Sequence, residues 1–226
     1  MIILEDCDLD AAVEAACFGA FFNQGQICMS TDWIIVVKSV ADAFVAKLEA
    51  RTQQIVAADP VHETSDLGRM ISDEAAQRVN GLIEDAVAKG ARLLVGGQID
   101  GCVMQPALLD GIAANMRIYR EETFGPLASI MRVNDVDEAV SIANDSEFGL
   151  NAAIFTRDLD RAHAIAARLE YGVVQINGPT VHDDPSMPFG GMKKSGFGRF
   201  GGEQAINEFT ELRWIATHQD GQISKL

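Results

Sequence analysis

The sequence predicts an α/β domain built on an open, largely parallel sheet with helices on both faces, and three observations lead there. Segments of helical spacing alternate with short apolar runs along most of the chain. Little sequence separates one from the next. The runs are apolar throughout, as strands covered on both faces require.

In order, Asp8 precedes an apolar-periodic stretch and caps a helix reaching about Phe22. Thr31 to Lys38 is β-branched and apolar, hence a strand, and Val40 to Ile55 returns to helical spacing. Further helices fit Asp73 to Lys89, Val136 to Asn144 and Leu159 to Leu169. Between them Ala91 to Val95, Leu127 to Val133, Asn151 to Thr156 and Gly172 to Ile176 read as buried strands.

Asn177 to Gly202 is a long loop rich in Gly, Pro and Asp, and long loops on α/β scaffolds carry function, so it is expected to lie over the site. A short helix follows through Glu211. Leu212 to His218 then reads as a terminal strand with Trp214 and Ile215 on opposite faces, a poor edge to leave in water, so another subunit is expected to pair with it. The expected units are residues 1–202 and a C-terminal helix and oligomerisation strand over 203–226.

With 226 residues, nearly half of them hydrophobic, the chain can bury one sizeable core. A formal net charge of -15 without a dense Lys/Arg cluster argues against nucleic acid and anionic membrane partners. The four cysteines, Cys7, Cys17, Cys28 and Cys102, form no CxxC pair, and the four histidines lack metal-ligand spacing, so no metal site is expected. No signal peptide opens the chain and no apolar run is long enough to span a bilayer, which points to a reduced cytoplasm.

Cys28 carries the chemistry. It lies in Asn23-Gln24-Gly25-Gln26-Ile27-Cys28-Met29-Ser30, where an apolar helix gives way to a loop, and a thiol there is reachable by ligand and surrounded by amides. Cys7, Cys17 and Cys102 read instead as small buried hydrophobes. Gly196-Phe197-Gly198-Arg199-Phe200-Gly201 matches GxGxxG spacing, but it lacks a strand directly before it and an acidic residue about 20 positions later. Its glycines are read as turn and packing residues. His182 beside Asp183 and Asp184 is read as solvated loop polarity rather than a triad.

Three runs, FFNQGQIC at Phe21 to Cys28, EETFGP at Glu121 to Pro126 and PFGGMKKSGFGR at Pro188 to Arg199, resemble in sequence, order and spacing the signatures of the catalytic half of the NAD(P)-dependent aldehyde dehydrogenases. The likeness covers essentially the whole chain. Thr180 to Met187 is most similar to members acting on aromatic aldehydes such as salicylaldehyde, benzaldehyde and vanillin. The resemblance implies Cys28 as nucleophile and oxyanion donor through its backbone N–H. It implies Glu122 on the nicotinamide ribose, Phe124 against the nicotinamide end of NAD or NADP, and Phe22, Ile27, Met29 and Phe189 lining an aldehyde pocket, with Asp183 also within reach of the substrate. Glu122 as an ordinary surface carboxylate, and Phe22 and Phe189 as core packing, are the competing readings.

By the same resemblance, the amino-terminal cofactor-binding domain, an oxyanion-hole asparagine and the general-base glutamate of a Glu-Leu-Gly-Gly segment belong upstream of Met1, which makes the chain look truncated. The expectation is a chain that does not turn over aldehyde alone. Its partners are a small aldehyde and either copies of itself in a homo-oligomer or a complementary amino-terminal half. Two further expectations stand beside it: a non-catalytic assembly module, and residual thiol-esterase activity of Cys28.

Overall fold

The computed structural model describes residues 1–61 and 65–218. Chain order is β1 (Ile2–Ile3), α1 (Leu9–Phe21), β2 (Trp33–Val37), α2 (Lys38–Thr52), α3 (Asp73–Ala88), β3 (Arg92–Val95), β4 (Ile99–Asp100), β5 (Val103–Met104), β6 (Ala107–Asp110), β7 (Leu127–Val133), α4 (Val136–Asn144), β8 (Phe148–Gly149), β9 (Asn151–Phe155), α5 (Leu159–Ala166), β10 (Val173–Ile176), β11 (Met192–Lys193) and α6 (Gly202–Glu208). Side-chain caps start four of the helices: Asp8 accepts from the Asp10 and Ala11 N–H groups, Ser72 from Ala75, Asp135 from Glu138 and Asp158 from Arg161. Each such cap contributes about 1 kcal/mol.

Seven strands form the main sheet in the order β10-β9-β1-β2-β7-β6-β3, and every pairing is parallel except that of β3 with β6. Alternate strand residues feed two cores. Ile34 and Val36 of β2 join α1 and α2 on one face, through residues such as Phe21, Phe44 and Leu48. Ile35 and Val37 join α3, α4 and α5 on the other, through Val79, Leu82, Val140 and Ile165. The expected open, largely parallel sheet with helices on both faces is what forms. Among the described residues, no helix is long and apolar enough to cross a membrane.

Three expectations change. The strand at Arg92–Val95 is not buried: as the antiparallel edge it leaves Leu93 40% exposed, and β10 at the other edge is only partly covered. Its neighbour β6 has no counterpart in the sequence reading, because four residues directly after Pro106 give too short an apolar run to announce a strand. The strand expected over Leu212–His218 is not formed: the segment has no regular structure, and Leu212, Trp214 and Ile215 stand in solvent. A strand is defined by its ladder partner, and none of the described strands lies beside this one. Residues 219–226 of the expected C-terminal unit lie outside the described residues.

Candidate active site

Cys28 sits on the turn that carries the chain from α1 into β2. The helix closes in a 3-10 turn, Phe22–Gly25, in which Asn23 (φ 51°), Gln24 (φ 56°) and Gly25 (φ 66°) are all left-handed. A non-glycine residue held there costs about 1 to 2 kcal/mol. Hydrogen bonds offset the strain: the Gln26 N–H donates to Asn23 O (3.0 Å), and Gln26 Oε1 accepts the Ile71 N–H (2.9 Å). Beyond Cys28, the Ser30 N–H donates to Ile27 O and the Thr31 N–H to Gly19 O, both at 2.9 Å, folding the turn back onto α1.

The outcome is one exposed thiol, Cys28, against three buried ones. Burial pushes the Cys7 and Cys17 thiols up to about 11, so both stay protonated near neutrality.

The segment Glu121 to Pro126 crosses the same region and is held from two sides. From α3, Arg78 donates to the Glu122 carbonyl (3.0 Å) and to the Thr123 carbonyl. From the Cys28 turn, Asp32 Oδ2 accepts the Thr123 N–H at 3.2 Å. The backbone of Glu122 is clamped while its carboxyl accepts no hydrogen bond from the described residues. Burial raises the Glu122 carboxyl above its ordinary value, and the Arg78 charge opposes the rise.

Asp32 is pushed up to about 6, chiefly by burial, against the Thr123 N–H and with help from the Glu122 charge. Because this value lies above the ordinary 3.8, the stabilising contribution is full below about pH 3.8 and is lost as pH rises through about 6. Asp32→Asn keeps an acceptor for Thr123 and removes the charge, so its melting temperature should exceed the wild type's at pH 8 and converge with it at pH 4. Thermal melts at the two pH values check this. A variant that melts below the wild type at pH 8 contradicts it.

Cys28, Asp32 and Glu122 line one cavity of about 360 Å³, at the amino ends of β2 and β9, where Trp33 and Asn151 begin their strands. The glycine-rich segment closes one side of it. β11 pairs antiparallel with β8, and Ser195 Oγ accepts the Gly149 N–H (2.9 Å), which brings Lys194 and Ser195 to the cavity wall. Gly196, Gly198 and Gly201 lie between β11 and α6, outside the main sheet.

The other expected site residues are more dispersed. Phe124, left-handed at φ 42°, shows 39% of its surface on a neighbouring groove with Gln26, Arg69 and Arg78. Phe22 stacks on Phe18 at 4.9 Å and lines a third groove with Cys17 and Phe21, away from Cys28. Ile27 and Met29 flank Cys28 and are partly buried, Asp183 is exposed on the long loop, and Phe189 is partly buried, its backbone bridged to Phe200 (2.8 and 2.7 Å). Among the described residues no cluster of His, Cys, Asp or Glu could hold a metal ion. Asp32 and Arg78 were not among the expected site residues: the one reads as a polar start to a strand, the other as a surface helix residue, and only the contact across the chain gives them weight.

The chain matches the aldehyde dehydrogenase family over residues 1–215. Vanillin dehydrogenase of Pseudomonas fluorescens is 56% identical over 98% of this chain and 46% of its own length. Salicylaldehyde dehydrogenase of Pseudomonas putida is 48% identical over 95% of this chain and 45% of its own length. A crystal structure of a salicylaldehyde dehydrogenase from Pseudomonas putida G7, complexed with salicylaldehyde, superposes with a TM-score of 0.95 at 44% identity, covering 100% of this chain and 47% of that one. The chain spans about half the length of the curated relatives it matches.

Proposed function

The chain belongs to the aldehyde dehydrogenase family, and on that premise we propose that it supplies the nucleophilic half of an NAD- or NADP-linked oxidation of an aromatic aldehyde to its carboxylic acid. One observation carries the reading: the single exposed thiol shares a cavity with an exposed carboxyl that no described side chain pairs. The aromatic class is taken from the names of the relatives.

In this reading the Cys28 sulfur, as thiolate, forms a bond to the aldehyde carbon, and the carbonyl electron pair moves to oxygen, where the Cys28 backbone N–H donates to it. A nicotinamide cofactor, its reactive end held by Glu122 and Phe124, would supply the acceptor for the hydride of the aldehyde C–H, and the carbonyl re-forms with the acyl group left on the Cys28 sulfur as a thioester. Water attacks the thioester carbon, a general base accepts its proton, the C–S bond breaks, and the acid leaves Cys28 as a thiol.

The residues fit the cofactor's reactive end. Glu122 offers free carboxyl oxygens to ribose hydroxyls, and Phe124 offers an exposed ring face to the nicotinamide end. No Glu-Leu-Gly-Gly segment occurs in the 226 residues, and in this reading no residue of the Cys28 cavity is assigned as the general base. Loss of a positioned base commonly costs about 10² to 10⁴ in rate.

Two measurements test this. The purified chain should form no NADH or NADPH from vanillin or salicylaldehyde above the rate of a Cys28→Ala control. Joined to the amino-terminal half of the vanillin dehydrogenase of Pseudomonas fluorescens, it should oxidise aromatic aldehyde, and Cys28→Ala should silence the joined protein. A joined protein that folds and stays inert, or steady turnover by the chain alone, contradicts the reading.

A second reading, assembly with copies of itself or with an amino-terminal half, is favoured by the exposed apolar run of Phe209, Leu212, Trp214 and Ile215. Gel filtration across concentrations tests it, and a concentration-independent monomer that also ignores the amino-terminal half argues against it.

A further inference from the structure

Three residues beyond Cys28, at Thr31, the turn that carries the thiol makes its one hydrogen bond, among the described residues, to the long loop 177–202: Thr31 Oγ1 lies 2.7 Å from Thr180 Oγ1, across 149 positions of sequence. Both threonines are 2% exposed, and both line the cavity that holds Cys28. Each is fixed from behind. Thr31 gives its N–H to Gly19 O (2.9 Å), and α1 comes so close that a Cβ at Gly19 would collide with the Thr31 hydroxyl. Thr180 O takes the Asn151 side-chain amide from the start of β9 at 2.5 Å, and the His182 N–H at 3.0 Å. The link therefore joins a turn seated on α1 to a loop seated on β9.

A buried hydroxyl that loses its partner bears the cost of desolvation unrelieved, so neither threonine is free to move without the other. On one side of the pair the turns Ile27–Ser30 and Gly19–Thr31 transmit the position to Cys28. On the other lies Asp183, three residues on, and then Phe189. We propose that Thr31 and Thr180 are a positioning pair that sets the Cys28 turn and the 177–202 loop in one register, so that the sulfur and the loop present a single pocket to the aldehyde. This rests on the reading of Cys28 as nucleophile.

Valine preserves the shape of threonine and removes the hydroxyl; serine preserves the hydroxyl. Hydrogen exchange on the purified chain, read by mass spectrometry, should therefore respond reciprocally. Thr31→Val should speed exchange over residues 178–184, and Thr180→Val over residues 27–31, each by about tenfold, with Thr31→Ser and Thr180→Ser close to wild type. Thr180→Val should also change the rate at which iodoacetamide alkylates Cys28 by about threefold or more, and Thr180→Ser should restore it. Exchange confined to the mutated side, an unchanged Cys28 rate, or serine variants that behave as the valine ones overturn the pairing while leaving the nucleophile in place. A wild-type Cys28 that iodoacetamide does not reach overturns the nucleophile reading itself.

Discussion

Cys28→Ser is expected to lower the rate at which the chain is acylated by an activated aryl ester by about 10³-fold or more. The ester needs no cofactor and no general base to transfer its acyl group, so it isolates the step assigned to this chain. The acyl carbon gains a bond to sulfur as the aryloxide leaves, and aryloxide absorbance reports one equivalent per active thiol. Slow hydrolysis should follow the burst, since the proposed reading assigns no general base to this chain. Serine keeps nearly the same volume at an exposed position and removes the thiolate, so fold and melting temperature should be unchanged. An equal burst from the serine variant would place the nucleophile elsewhere.

Gly25→Ala should be the most damaging single change near the site. Gly25 is buried at φ 66°, where a Cβ is strained by itself. That Cβ would fall well inside contact with the Gly125 carbonyl. At this glycine the Cys28 turn packs directly on the backbone of the Glu122 segment, so relief of the clash must shift nucleophile against carboxyl. Strain and overpacking together amount to about 3 kcal/mol. For a chain of this size that lowers the melting temperature by roughly 6 to 12 °C, and the aryl ester burst should slow in parallel. A variant with wild-type melting and burst would mean that the two segments are not held by this contact.

Much of the fold was legible because helix spacing, caps such as Asp8, and continuous apolar strands are local signals. What was not legible depends on partners. β6 is announced by only four residues, β3 loses its cover by standing at an edge, and Leu212–His218 has no ladder without a second strand. The site divides the same way. Cys28 and Glu122 stand out through their surrounding motifs and do meet at one cavity. Phe22 does not join them, because three left-handed residues between it and Cys28 turn the chain, and backbone angles of that kind leave no mark on an apolar pattern. Asp32 with Thr123, Arg78 with Thr123, and Thr31 with Thr180 are contacts over 91, 45 and 149 positions, which no local reading brings together.

The relative reactivity of the four thiols tests the central claim most directly. The native chain would be treated briefly with iodoacetamide at neutral pH, quenched, unfolded and mapped by tandem mass spectrometry. Cys28 should carry label at least about 100-fold faster than Cys7, Cys17 or Cys102, since it alone is exposed and burial holds Cys7 and Cys17 near 11. Label on a buried cysteine first, or four thiols reacting at similar rates, would contradict the account.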